Sequence, residues 1–387
     1  MRIRKTATGL AAALALVLAG CSSTPAAEPS PEPAEELTIT DMAGREVSLQ
    51  LPIERYAIST FDVIDFITPL IGEESFDKLV GVGNSGGKDA YDDIYNEMFP
   101  DLDERIGVIS EHNAPFDLEM ILAKKPDVLI VNSAMQAHTH ALDIEAQLTD
   151  AGIELVLIDV PQDLATSSQE AVNLLGQVFG AEERASEVVE FIDDQFELVT
   201  SKNLASRQDR PTVYYEKSGT AEEFGTTSRS TSGWGAVVAL AGGDNIAESL
   251  VGEGAGSPGG KGGPGGGSPT VDPEKVLTAD PDFIFLSGTN SLGLGADPNL
   301  AAVADFSIVE RPGWSELSAV QQGKVYELQH ELSRTVVAFY PTLVMAQAMY
   351  PDEFSDVDPD ALLAEFYDEF LLIDADQGVW KLQLPTA

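Results

Sequence analysis

The chain has 387 residues, with 22 Lys plus Arg against 64 Asp plus Glu, a formal net charge of −42 and 43% hydrophobic residues. Such a length and apolar content bury a sizeable core and exclude a globally disordered chain; two domains of about 150 residues each fit it. So acidic a surface would repel a phosphate backbone, which excludes nucleic acid as a partner, and the single cysteine excludes an internal disulfide or a CxxC site.

Arg2, Arg4 and Lys5 precede a small-and-apolar run over 7–20 that ends Leu18-Ala19-Gly20-Cys21. About 30 Å of hydrocarbon needs a longer helix, so residues 1–20 are expected to be a secretory signal. The ending LAGC resembles the lipobox of bacterial lipoproteins, which implies lipidation of Cys21. Residues 21–36, rich in Ser, Pro, Ala and Glu, read as a disordered, solvated tether. No other apolar run reaches membrane-spanning length. The chain is therefore expected on the extracytoplasmic face of the cell membrane, held by its lipid.

From residue 37, LTITDMAGREVSL alternates around Ala43-Gly44 and predicts a hairpin. Short apolar runs at 56–59, 79–82, 127–131 and 155–159 predict strands, each followed by loop and helix-like text, so 37–180 is read as an α/β lobe. Apolar residues at Ala185, Val188, Val189, Ile192, Phe196 and Val199 fall three or four apart. They predict one long amphipathic helix over 181–203, ~30 Å in length. Strands are predicted again at 212–216, 283–286 and 324–328, in a second α/β lobe over 204–387. Within it, 252–269 is Gly-rich and reads as a mobile loop, since its Gly260-Lys261 lacks the phosphate-loop spacing. The acidic stretch 351–376, with Phe354, Leu362, Phe366, Phe370 and Leu371 interleaved, predicts a terminal amphipathic helix.

The two lobes share a repeat. FDLEMILAKKPDVLIV at 116–131 and VDPEKVLTADPDFIFL at 271–286 align with Asp117/Asp272, Glu119/Glu274, Leu122/Leu277, Pro126/Pro281 and Asp127/Asp282. Each copy reads as a capped helix with an early Glu, a Pro-Asp turn and a buried strand.

TDMAGREVSL at 40–49, the two repeats, GWGAVVALAGGDNIA at 233–247 and RPGWSELSAVQQGKVYEL at 311–328 follow in that order. Together they resemble the solute-binding proteins of ABC importers for iron–siderophores, haem and cobalamin. The resemblance covers nearly all of the chain after residue 37. It implies a class III solute-binding fold: two α/β lobes joined by a single long rigid helix, with the ligand cleft between them. It also implies a non-enzymatic monomer that captures a small-molecule metal chelate, a ferric siderophore foremost, and delivers it to an ABC permease and its ATPase. Haem and cobalamin are the alternative chelates. In the siderophore-type members one Glu per lobe meets permease arginines, a role the repeat would give to Glu119 and Glu274.

Ligand contacts are expected from loops at the carboxyl ends of strands. Those loops hold Ser59-Thr60-Phe61, Asn84, His112 and His138 in the first lobe, and Arg229, Trp234, His330, Arg334 and Tyr340 in the second. Arginines pair with an anionic chelate while Trp and Tyr stack on its faces. Arg229, Trp234 and Arg334 are therefore the first candidates, followed by Tyr340, His138 and Asn84. Trp234 would alternatively pack the helix it opens, and Trp314 is read as structural. A rival reading takes His112, His138, His140 and His330 as direct ligands of Zn²⁺ or Mn²⁺. No resident cofactor is expected, and no nucleophile or acid–base motif points to an enzyme.

Overall fold

The structure is a computed structural model. It describes residues 35–83, 94–111, 114–133, 137–160, 163–231, 233–251, 269–288, 292–297 and 306–385. Cys21 and the tether up to residue 34, Asn84, His112 and most of the Gly-rich segment lie outside the described residues; Glu35 and Glu36, expected in the tether, instead begin the first strand because they pair with Leu51 and Gln50. No helix among the described residues is long and apolar enough to cross a membrane.

Strands β1 (Glu35–Thr40) and β2 (Glu46–Leu51) form the expected hairpin, with Leu37 opposite Leu49 and Ile39 opposite Val47. Gly44, at φ 78°, supplies the left-handed turn. The buried Asp41 carboxylate accepts from the Ala43 and Arg45 amides, the Arg45 guanidinium and the Leu157 amide, tying the hairpin to the first sheet.

That sheet holds β3 (Tyr56–Ile58), β4 (Leu79–Gly83), β5 (Gly107–Ser110), β6 (Val128–Asn132) and β7 (Glu154–Ile158). Its order is β5-β4-β3-β6-β7 and every pair is parallel. The second sheet holds β8 (Thr212–Lys217), β9 (Asp244–Asn245) and β10 (Phe283–Ser287). A separate two-residue β11 (Gly293–Leu294) intervenes before β12 (Val325–Leu328) joins the sheet. Near the carboxyl terminus β13 (Gly378–Val379) pairs with β11, and β14 (Lys381–Gln383) completes an order of β14-β12-β10-β8-β9. Only the β12–β14 pair of that sheet is antiparallel. The inner strands are apolar and buried on both faces, as a covered parallel sheet requires.

Among the described residues nine helices have seven or more residues: α1 (Ile64–Ile71), α2 (Leu118–Lys124), α3 (Ala137–Asp150), α4 (Ser167–Phe179), α5 (Glu182–Thr200), α6 (Gly233–Leu240), α7 (Pro273–Ala279), α8 (Phe339–Met349) and α9 (Pro359–Phe370). Helix α5 connects the sheets and buries Ala185, Val188, Ile192, Gln195, Phe196 and Val199. One apolar core runs from β3, α1 and α4 through α5 to α8 and α9, so the inner faces of both lobes share it. The outer face of each sheet has its own smaller core. The Phe191 ring meets Phe339, Phe366 and Phe370, while Arg184 donates to the Pro69 and Glu369 carbonyls, one in each lobe. Burial along its length makes the linking helix a strut rather than a hinge.

Two expectations need correction. The acidic stretch 351–376 forms a helix only over Pro359–Phe370: Asp358 caps it, accepting from the Asp360 and Ala361 amides, and Pro359 opens it. Residues 138 and 140 lie in the first turn of α3 and are helical, not part of an extended loop.

Candidate functional site

Parallel strands of both sheets deliver their carboxyl ends to the seam between the lobes. In the first lobe β3 leaves through Ser59, whose amide donates to the Ile130 carbonyl and whose Oγ accepts from the Asn132 amide at 3.0 Å. The chain then forms a 3-10 turn over Phe61–Val63 and enters α1. In the second lobe β12 leaves through Gln329, whose side chain caps a 3-10 turn over His330–Arg334 by accepting from the Leu332 amide.

The two turns meet. Arg334 donates from Nε to Asp62 Oδ2 at 2.8 Å and from Nη2 to Glu331 Oε1 at 3.0 Å. The first bond crosses between lobes. The Asp62 side chain is 7% exposed and that of Arg334 24%, so the pair is shielded from water but not sealed. The hydroxyls of Thr60 and Thr335, which flank the pair in sequence, are buried without a hydrogen-bond partner among the described residues.

Behind Arg334 lies an aromatic stack. Tyr215 on β8 lies against Trp234 in the first turn of α6, at 5.7 Å and 11° between planes. Trp234 in turn lies against His330 at 6.3 Å and 22°. Its Nε1 donates to the His330 carbonyl, and Ser287 Oγ lies 2.8 Å from His330 Nδ1 and 2.7 Å from the Tyr215 hydroxyl. These contacts fix the imidazole. Burial first, then the Lys217 and Arg334 charges, hold its pKa well below the ordinary histidine range, so it is neutral at pH 7. Burial and Arg334 also lower the Lys217 amine, against an opposing pull from Glu331. On the first-lobe side, Asp65 in α1 is pushed up to about 8 by burial, then by Asp62 and Glu331. Tyr95, and Tyr367 from α9, lie close enough to feel the Asp65 charge.

The structure thus brings together Trp234, Arg334 and His330 of the expected set. Arg229 is engaged elsewhere: its guanidinium pairs with Glu248 at 3.3 Å and donates to the Val251 carbonyl. Tyr340 is corrected from a cleft contact to a core residue, because its ring is buried in α8 and its hydroxyl donates to Asp360 at 2.8 Å. Trp314 is buried among Tyr214, Phe224 and Arg311. No group of three or more His, Cys, Asp or Glu among the described residues is arranged to hold a metal ion. Glu119 and Glu274 are the second residues of α2 and α7, exposed in matching places.

Sequence reasoning missed Asp62, Asp65 and Lys217, and placed Glu331 in a facing loop, His330 to Arg334, without singling it out. Lys217 stands one residue past the predicted strand 212–216, and Asp62 one residue past the named loop Ser59-Thr60-Phe61. That adjacency was the available signal, but 64 acids hide any one of them.

Two lobes of parallel sheet, a buried connecting helix and converging strand ends match what the comparisons find. A family model described as periplasmic binding protein matches residues 75–332. The chain belongs to the periplasmic binding protein family. The fold is shared with "TroA-like Periplasmic Binding Protein FepB" of Veillonella parvula, at 29% identity and TM-score 0.79 over 90% of this chain and 100% of that one. It is also shared with the catecholate-siderophore binding protein VctP of Vibrio cholerae, at 16% identity and TM-score 0.55 over 82% and 100%. MolA of Haemophilus influenzae, whose structure holds molybdate, aligns at 19% identity and TM-score 0.60 over 87% and 98%. A relative in Bacillus subtilis, the uncharacterised ABC transporter substrate-binding lipoprotein YvrC, is 23% identical over 91% of this chain and all of its own length. This periplasmic binding protein is accordingly the substrate-binding component of an ABC transporter, not an enzyme.

Proposed function

We propose that this protein captures a ferric siderophore between its lobes and hands it to the permease and ATPase of an ABC importer, while Cys21 anchors it by lipid to the extracytoplasmic face of the membrane. The observation that carries the reading is the convergence of Lys217, Arg334 and the Tyr215–Trp234–His330 stack at the strand ends of the second lobe, opposite Ser59 to Asp62 of the first. Cations suit the anionic donors of an iron chelate; Tyr215 and Trp234 are buried and back the part-exposed His330, whose imidazole is the ring face the stack offers. A neutral His330 adds a polar group without further positive charge. The siderophore named for VctP and the lipoprotein named for YvrC support the same reading.

Titration with ferric chelates while following Trp fluorescence tests it, since Trp234 lies one ring behind His330. Saturable quenching is expected, and Arg334→Ala should weaken binding of an anionic chelate by about ten- to hundredfold. Absence of quenching across hydroxamate, catecholate and carboxylate chelates would refute the reading. Cys21→Ala should release the protein from membranes; retention after a high-salt wash would refute the anchor.

A further inference from the structure

Arg334 meets the seam with its charge already answered. Nε is bonded to Asp62 of the opposite lobe and Nη2 to Glu331 of its own turn. Lys217 is the second cation close enough to interact with both Arg334 and Glu331. Two cations therefore meet the carboxylates of Asp62 and Glu331 where an anionic ligand would dock, with Asp65, protonated up to about 8, and Glu327 close by. The two acids are not equivalent. Glu331 has a side chain 27% exposed and also accepts from Gln329 Nε2, so it keeps a partner and water when Arg334 is withdrawn. Asp62 is 7% exposed and is paired with Arg334. A ligand anion that takes the guanidinium leaves a shielded carboxylate with its charge unanswered, which is the expensive outcome for a buried ion pair.

We propose that Asp62 is an internal competitor for the ligand's anionic donors and so determines which ligand charge this protein accepts. The inference rests on the chelate reading above and deepens it. A neutral chelate leaves the Asp62–Arg334 bond in place and binds through shape and aromatic contact. A highly anionic chelate must exchange with Asp62, and gains only the difference between its own bond to Arg334 and the one it breaks. Asp62 therefore sets a threshold that favours ligands of low charge, and removing its charge lifts the threshold. Asparagine keeps the shape and an acceptor oxygen for Nε, so Asp62→Asn changes charge with little else.

The test uses two probes of like size, a neutral ferric trihydroxamate and a trianionic ferric tris-catecholate, titrated into the full chain and into Asp62→Asn. The readout is the ratio of the two affinities. A mere latch between lobes would change both affinities together and leave the ratio alone. The ratio is expected to shift toward the anionic chelate by about tenfold in Asp62→Asn, and in the same direction by a smaller factor in Glu331→Gln. An unchanged or reversed ratio overturns the inference while the binding itself upholds the chelate reading. Failure of wild type and both variants to bind either probe overturns the two together. Should Asp62→Asn not fold, the more exposed Glu331→Gln decides by the same ratio.

Discussion

In the first lobe α2 is capped by Asp117, ends at Lys125 with φ 50° and feeds β6; in the second, α7 is capped by Asp272, ends at Asp280 with φ 42° and feeds β10. Just after each helix an aspartate reaches back to the start of a neighbouring strand, to the residues that lead into β3 in the first lobe and to the first residue of β8 in the second. Asp127 Oδ2 accepts from the Glu54 and Arg55 amides, and Asp282 Oδ2 from the Thr212 amide and hydroxyl. At the other end of the same strands the likeness stops. The first lobe closes with a neutral clasp, in which Asn132 bonds Val160 twice. The second closes with a buried ion pair, in which Arg311 grips both Glu216 oxygens at 2.7 and 3.0 Å, while Tyr214 and the Gly225 amide donate to the same carboxylate. The amino ends of the strands only have to hold the sheet together. The carboxyl ends must also shape a binding surface, and there the two copies have taken different solutions.

Removing the charge of Arg311 should break this contrast most severely. Arg311→Met leaves Glu216 buried without its cation and should destabilise the protein by about 3–5 kcal/mol, whereas Asn132→Ala should lose about 1–3 kcal/mol. Urea unfolding measures both. Equal losses would mean that the buried pair does nothing beyond a neutral clasp.

The titrating groups of the two lobes should respond to pH with opposite sign. Asp65 holds its proton to about 8 in the folded protein but only to the ordinary carboxylate range when unfolded. Its contribution to stability is full below that range and falls as pH rises toward 8. His330 is the reverse: folding keeps it neutral, so stability is lost as pH drops below about 6.5. From the ordinary carboxylate range up to about 8, melting temperature should fall less with rising pH in Asp65→Asn, and below about 6.5 it should fall less with falling pH in His330→Gln. A change of slope of the same sign in both variants would contradict the assignment.

The two strand ties offer a finer test of likeness. Asp127→Ala and Asp282→Ala should each destabilise by roughly 1 kcal/mol, because each frees two donors that water can partly satisfy. A difference well above that size would show that the repeat is alike in outline only.

The smallest effect on stability is expected at Glu119 and Glu274, which are exposed and have no side-chain partner among the described residues. The double change to Arg should alter stability by less than about 0.5 kcal/mol. If the pair orients the docked protein on its permease, the same variant should lose transport in a reconstituted importer while still binding ligand. Normal transport would leave the two acids as helix-end residues.

Much of the frame was legible before any coordinates. The seven strands predicted for the two sheets appear because strands of a covered parallel sheet are largely apolar, and such runs stand out between polar loops. Helix α5 appears because one face is buried along its whole length, which writes a regular period into the sequence. The missed elements lack those signatures. Strand β5 is a short edge strand with Val108 exposed, β9 spans two residues, and α8 is buried nearly all round, so no polar face marks its period.

Local pattern therefore determined the elements, their order, the repeat and the loops that face one another, since each depends on near neighbours along the chain. Tertiary structure decided which side chains in those loops act together. Asp62 and Arg334 are 272 residues apart, and nothing local to either says that they will touch. Tyr340 and Arg334 stand six apart, yet one is sealed in the core and the other reaches the seam, because the chain turns into α8 between them. A charge pair's partner and burial depend on how two distant segments pack, and that information resides in the assembled core rather than in either stretch of sequence.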